Sequence, residues 1–164
     1  MSRPKISLAK EPLDRYIEMI GMIGLLMLFG LPIYYYSDLP ETIPTHFNAE
    51  GIPDGFSGKN MIWFLPLLGG ILYAGLFYLN KLPHLFNYPK NITEENAPHY
   101  YKIATRMTRV LSSFLTCSFA YMTLSTIQTA LEQKNGLGPY FVYIFLGFMF
   151  SVVVYFSLQL RKSV

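Results

Sequence analysis

Met19 to Ser37, MIGMIGLLMLFGLPIYYYS, is a run of nineteen residues without a charge, set between Glu18 and Asp38. Three more such runs follow: twenty-one residues between Lys59 and Lys81, twenty-two between Arg109 and Glu132, and twenty-six between Lys134 and Arg161. A helix needs about 20 apolar residues to cross the hydrocarbon of a bilayer. A buried helix of a soluble protein can imitate one such run, but four in 164 residues leave too little polar surface to cover them. The pattern predicts an all-α membrane protein, a four-transmembrane-helix bundle forming one domain over 1–164. The predicted spans are about 17–36, 61–80, 110–131 and 140–160.

The basic residues predict the orientation. Arg3, Lys5, Lys10 and Arg15 precede the first span, and Lys81, Lys90, Lys102, Arg106 and Arg109 lie between the second and third. Arg161 and Lys162 follow the fourth, which leaves only Lys59 and Lys134 in the other two loops. Eleven of the thirteen therefore share one side, and lysine and arginine are retained in the cytoplasm. Both termini are expected inside, with the loop 37–60 outside. The first run is too long for a signal-peptide core, and Tyr34-Tyr35-Tyr36-Ser37-Asp38 offers no small-x-small cleavage site, so it reads as a retained span.

Composition narrows the function classes. A net charge of +3, split between two faces, makes no case for nucleic-acid binding. Cys117 is the only cysteine, which removes disulfide frameworks and cysteine-based metal sites within one chain. The runs contain no ionisable residue in the sense that transport normally requires. No nucleophile–base pair, His-Glu-x-x-His or phosphate loop is present, so no catalytic residue and no cofactor is expected.

The span boundaries carry the aromatic residues that settle at headgroup level: Tyr34 to Tyr36, Trp63 and Phe64, and Tyr140, Phe141 and Tyr143. Pro32 is expected to bend the end of the first helix mildly. Thr93-Glu94-Glu95 reads as a helix start, so the third helix is expected to begin before the bilayer and pass through Tyr100, Lys102 and Arg106. Ser112, Thr116, Ala120, Thr123 and Ala130 make a small, weakly polar stripe on it. That stripe, with Gly70 and Ala74 of the second helix, is expected to let helices approach closely. The short connection Gln133 to Pro139 makes the third and fourth helices antiparallel neighbours.

The outer loop is the most informative local segment: Leu39-Pro40-Glu41-Thr42-Ile43-Pro44-Thr45-His46-Phe47-Asn48-Ala49-Glu50-Gly51-Ile52-Pro53-Asp54-Gly55-Phe56-Ser57-Gly58-Lys59. Prolines fix φ and glycines permit φ > 0, so its turns are set and the loop is expected to be ordered over the outer helix ends. Ile43, Thr45 and Phe47 alternate, and Asn48 to Gly51 can reverse the chain. Ile52 to Phe56 then returns beside them, interrupted by a Pro-Asp-Gly turn. The result is a short hairpin capping the bundle.

This loop resembles a bacterial membrane domain of unknown function, number sixteen-forty-eight, which is the N-terminal domain of SdpI-like proteins. The likeness is carried by Leu39-Pro40, Ile43-Pro44-Thr45-His46-Phe47-Asn48, Gly51, Pro53-Asp54-Gly55 and Lys59, between two spans. SdpI-like proteins give immunity to a secreted killing peptide and signal to a cytoplasmic repressor. The resemblance therefore implies a sensor or immunity type of protein in the bacterial inner membrane, with Leu39, Pro40, Pro44, His46, Phe47, Asn48, Gly51, Pro53, Asp54, Gly55 and Lys59 as the binding segment. Gly136 to Val164 has no match to the Asn/Gly/Arg-containing region that follows the domain in SdpI-like proteins, so it is the domain that carries over.

Single residues leave choices open. His46 could ligate a metal with Asp54 or Glu50, yet scattered carboxylates are weak ligand spacing. A bond from His46 to a backbone group near Gly51 to Gly55, fixing the turn, asks less, and no metal is expected. Arg106 and Arg109 contact a cytoplasmic partner or mark the inner headgroup boundary. The expected partners are the lipid bilayer, an extracytoplasmic peptide, and a membrane-protein partner or a second copy of the chain. The alternative function is an accessory subunit of a larger membrane complex, with a small permease third and an enzyme last.

Overall fold

The structure, a computed structural model, describes residues 3–162. In chain order the elements are helix α1 (Pro12–Tyr35), strands β1 (Thr42–Phe47) and β2 (Pro53–Gly58), a 3-10 turn (Lys59–Trp63), and helix α2 (Phe64–Leu79). A short 3-10 turn (Pro83–Leu85) then leads to α3 (Ala97–Ala130) and α4 (Phe141–Lys162). All four helices, α2 counted with its 3-10 turn, are long and apolar enough to cross a membrane. The two strands pair antiparallel as the hairpin that the outer-loop sequence predicts.

α3 is the centre of the bundle: α1, α2, α4 and β1 all pack on it. Its most apolar window has the lowest mean hydropathy of the four, 1.4, and is the most buried, at 50%. That inversion is how lipid acts as a solvent. Leucine gains nothing by leaving hydrocarbon tails, so the interior is filled by small and hydroxylated residues that allow close approach. Ser112, Thr116, Ala120 and Thr123 are buried as the stripe predicts, while Ala130 is half-buried. Hydroxyls that would otherwise be stranded bond the backbone: Thr108 donates to the Ala104 carbonyl at 3.0 Å and Thr116 to the Ser112 carbonyl at 2.7 Å.

The closest packing is between α1 and α3. Ser113 Oγ donates to the Ile17 carbonyl at 2.7 Å, and Cys117 Sγ lies 3.7 Å from the Ile20 carbonyl. A Cβ on Gly21 would stand 2.6 Å from Ser113 Oγ, and one on Gly24 would stand 2.8 Å from Cys117 Sγ. On α2 the buried contact is Gly69, whose added Cβ would meet Leu28 at 2.6 Å and Phe119 at 3.1 Å. Gly70 also stands close to α1, an added Cβ meeting the end of the Phe29 ring at 3.1 Å, whereas Ala74 is exposed, so the expectation is corrected for Ala74. α4 lies beside α3 as the short connection predicts. Rings zip the two together: Phe114 is 4.0 Å from Phe148 and 5.7 Å from Phe145, and Tyr121 is 5.1 Å from Phe141, centroid to centroid.

Three local expectations shift. α1 begins at Pro12, well before the uncharged run, because Asp14 and Glu11 form a reciprocal capping box there. α3 starts at Ala97; Thr93 and Asn96 bond each other across a preceding turn, with Pro98 in the first helical turn. Pro53-Asp54-Gly55 is not a turn. It lies inside β2, with Pro53 opposite Phe47 and Gly55 opposite His46, and the irregularity falls as two register shifts on either side of His46.

Candidate functional site

The hairpin sits on the helix ends through an apolar foot. Leu39 and Ile43 are buried with Ile62 and Ile127, and Leu31, Tyr35, Tyr36 and Trp63 pack around them. Lys59 locks the open end of the hairpin: its backbone N–H donates to the Glu41 carbonyl at 3.0 Å and its ammonium reaches Glu41 Oε1 at 2.8 Å. The same ammonium lies 5.4 Å from the centroid of the Tyr36 ring. Pro44 is buried beside this foot, Phe47 is half-buried at the wall of a crevice of about 220 Å³ against α2 and α3, and Pro40 is exposed. One hydroxyl on that wall, Thr123 Oγ1, is buried with no hydrogen-bond partner among the described residues.

The far end of the hairpin is held by Asn48. Its side-chain oxygen accepts from Ile52 N at 2.9 Å and Glu50 N at 3.1 Å, an arrangement that asparagine makes readily in turns. Gly51 then takes φ +75°, and its carbonyl accepts from Leu137 N at 2.8 Å. Gly51 meets Gly136 and Gly138 backbone to backbone, so the hairpin tip is clamped to the α3–α4 connection. That connection is itself held from α3: Tyr121 Oη donates to the Leu137 carbonyl at 2.8 Å, and Gly136 N donates to Thr129 Oγ1 at 3.0 Å.

His46 departs from the expectation. Its Nδ1 lies 2.5 Å from Asp54 Oδ1 across the strand pair, and the His46 side chain is 73% exposed. The turn is fixed by Asn48, so His46 is free of that task. Gly55 makes the cross-strand approach possible, because a Cβ there would stand 2.8 Å from the Cβ of His46. Among the described residues, no three or more His, Cys, Asp or Glu side chains come together as a metal-holding group. Beside the His46–Asp54 pair, Ile52 and Phe56 are 49% and 59% exposed. The motif therefore divides in two. Leu39, Pro44, Asn48, Gly51, Gly55 and Lys59 build and seat the hairpin, while His46, Asp54, Ile52 and Phe56 present an outward surface. Ile52 and Phe56 lie outside the residues singled out from sequence; apolar side chains facing outward from a hairpin cannot be told from core ones without the register.

At the other end, Arg106 and Arg109 turn inward rather than outward. Arg106 Nε donates to Asp14 Oδ1 at 2.8 Å, and its Nη2 reaches Glu11 Oε2 at 2.7 Å. Arg109 Nε donates to Glu18 Oε1 at 2.8 Å, and Lys102 pairs with Glu11. Glu11, Asp14 and Glu18 fall on one face of α1, and Lys102, Arg106 and Arg109 on one face of α3, so the ladder follows helical spacing on both sides. Asp14 is only 3% exposed and also accepts from the Glu11 N–H at 3.0 Å, joining the helix cap to the ladder. In the sequence this ladder is two matched charge periods, one acidic and one basic, on segments about 90 residues apart. Lys102 and Arg106 hold the Glu11 carboxyl below its ordinary value of 4.5.

Four apolar helices with an extramembrane hairpin define a multi-pass membrane protein. Within it, residues 23–70 match the family model described as Domain of unknown function (DUF1648), a stretch from the middle of α1 through the whole hairpin into α2. An uncharacterized protein of Archaeoglobus fulgidus is 28% identical over 141 residues, which cover 77% of this chain and 77% of its own. No solved structure matches the chain.

Proposed function

We propose that the protein is a non-enzymatic membrane sensor or immunity-type protein, of the SdpI-like kind, whose hairpin binds an extracytoplasmic peptide or protein. It sits in a bacterial inner membrane with both termini in the cytoplasm. One observation carries the reading: the hairpin is tied down at its foot, its open end and its tip, yet it keeps Ile52, Phe56 and the His46–Asp54 pair exposed. A fixed surface with two apolar anchors and a polar pair binds without first losing loop entropy. The orientation is supported by the eleven basic residues at the terminal end.

The alternative of an accessory subunit rests on a different observation, that α4 packs chiefly on α3 and leaves only 11% of its most apolar window buried. The two readings separate in cells. A deletion strain challenged with peptides secreted by sibling cells should be sensitised, and Ile52→Ser/Phe56→Ser should sensitise it equally at normal protein level. Full protection by that double variant would remove the hairpin surface from the function. Loss of a co-purifying partner upon substituting exposed α4 positions such as Phe150 would favour the subunit reading.

A further inference from the structure

The terminal end holds a cavity of about 410 Å³ where residues 5–10, the turn after α2 and the side of α3 meet. Lys5, Lys10, Lys81, His84 and Arg109 line it, and no carboxylate does. Glu18 lies just behind and must serve two of these cations, Lys10 at 2.7 Å and Arg109 at 2.8 Å. Among the described residues, neither Lys5 nor Lys81 has a carboxylate partner. The ammonium groups of Lys10 and Lys81 both gather at one ring, 5.7 and 5.0 Å from the Phe77 centroid. Like charges repel, so two lysines converging on one ring with half a carboxylate between them leave a positive site that an anion would neutralise.

A second observation adds to the charge. Asn80 lines the same cavity, and its Oδ1 is buried with no hydrogen-bond partner among the described residues. A buried acceptor left without a donor is costly, and a hydroxyl on the ligand supplies one. Depth supplies the third. The uncharged run of the second span ends at Asn80 and Lys81 is the first charge after it, the level at which lipid phosphates lie.

We propose that this corner binds a phosphate ester carrying a free hydroxyl, with the phosphate held by Lys5, Lys10 and Lys81 and the hydroxyl donated to Asn80. Such chemistry comes either as a lipid headgroup or as a soluble phosphate ester. The site is independent of the hairpin and of the orientation in the membrane.

The test uses the full chain. In detergent, native mass spectrometry with phosphatidylglycerol and phosphatidylcholine should show retention of phosphatidylglycerol alone. Lys5→Gln/Lys81→Gln should weaken retention roughly tenfold or more, since each cation near the membrane surface contributes on this scale. Both side chains are exposed, so the fold should survive. Arg161→Gln/Lys162→Gln removes the same charge from the same end and should leave retention unchanged. Asn80→Ala should narrow the preference for phosphatidylglycerol over phosphatidic acid. Glycerol 3-phosphate is the soluble probe: binding that is lost in the Lys5/Lys81 variant, in place of lipid retention, assigns the site to a soluble ester. Retention that falls equally in both double variants, or no binding of either probe, overturns the proposal.

Discussion

Gly51 and Gly136 approach backbone to backbone, and with the Leu137 N–H bond to the Gly51 carbonyl this ties the hairpin tip to the loop between α3 and α4. Both residues take positive φ, +75° and +74°, a region that a Cβ disfavours. An added Cβ on Gly51 would run into the Gly138 carbonyl, and one on Gly136 into the Gly51 carbonyl. Gly51→Ala should therefore release the tip, at a cost of about 1–3 kcal/mol. Limited proteolysis between Asn48 and Pro53 reads this out. Gly75→Ala, with nothing within 4 Å of its added Cβ, should leave the cleavage rate unchanged.

The roles of Asn48 and His46 can be separated by substitution. Asn48→Ala removes two hydrogen bonds that close the turn, each contributing about 1 kcal/mol. His46→Ala removes one exposed contact to Asp54 and should cost well under that. Amide hydrogen exchange at Gly51 and Ile52 should accelerate strongly in the first variant and little in the second. Equal acceleration would return the turn to His46.

Asp14 and Arg106 should be coupled. Removing Asp14 leaves Arg106 paired with Glu11 alone, and removing Arg106 leaves the Asp14 carboxylate with the Glu11 N–H and with Arg109 3.9 Å away, so each loss should fall below the roughly 3–5 kcal/mol of a buried pair broken outright. Asp14→Asn and Arg106→Gln should each lower thermal stability in detergent. The double variant should fall by clearly less than the sum of the two. Strict additivity would mean that the ladder does not join α1 to α3.

Acid should open the same ladder from Glu11. Its carboxyl is held below 4.5 first by Lys102 and then by Arg106, so its charged form is favoured in the folded protein. The folded state therefore binds this proton less readily than the unfolded one. The contribution is complete above about pH 4.5 and declines as the pH falls through the lowered value. Thermal melts between pH 6 and pH 3 should show a smaller acid-induced drop for Glu11→Gln than for the unaltered chain. Equal drops would place the acid sensitivity elsewhere.

Much of this architecture is legible from residues alone, for reasons that the packing makes plain. The four spans stand out because hydrocarbon excludes charge over a fixed thickness, and the hairpin stands out because Asn48, Gly51 and the prolines specify backbone angles. What escaped depends on pairing between distant segments. The α1–α3 ladder needs two helices placed in register before Glu11, Asp14 and Glu18 can be matched to Lys102, Arg106 and Arg109. Pro53-Asp54-Gly55 has the composition of a turn, yet its position opposite Phe47 and His46 draws it into a strand. Gly21 and Gly24 differ from Gly30, which has nothing within 4 Å of an added Cβ, only through Ser113 and Cys117 of a distant helix packed against them.

Which side the hairpin occupies decides whether its exposed face can meet a secreted ligand. Single cysteines at Ala49, exposed at the hairpin tip, and at Asn91, exposed near the start of α3, in a Cys117→Ser background, test this with a membrane-impermeant maleimide on intact cells. Labelling of Ala49→Cys alone, with Asn91→Cys reacting only after permeabilisation, is the predicted result. Labelling of Asn91→Cys in intact cells with Ala49→Cys silent would put the hairpin in the cytoplasm and contradict a role in recognising anything outside it.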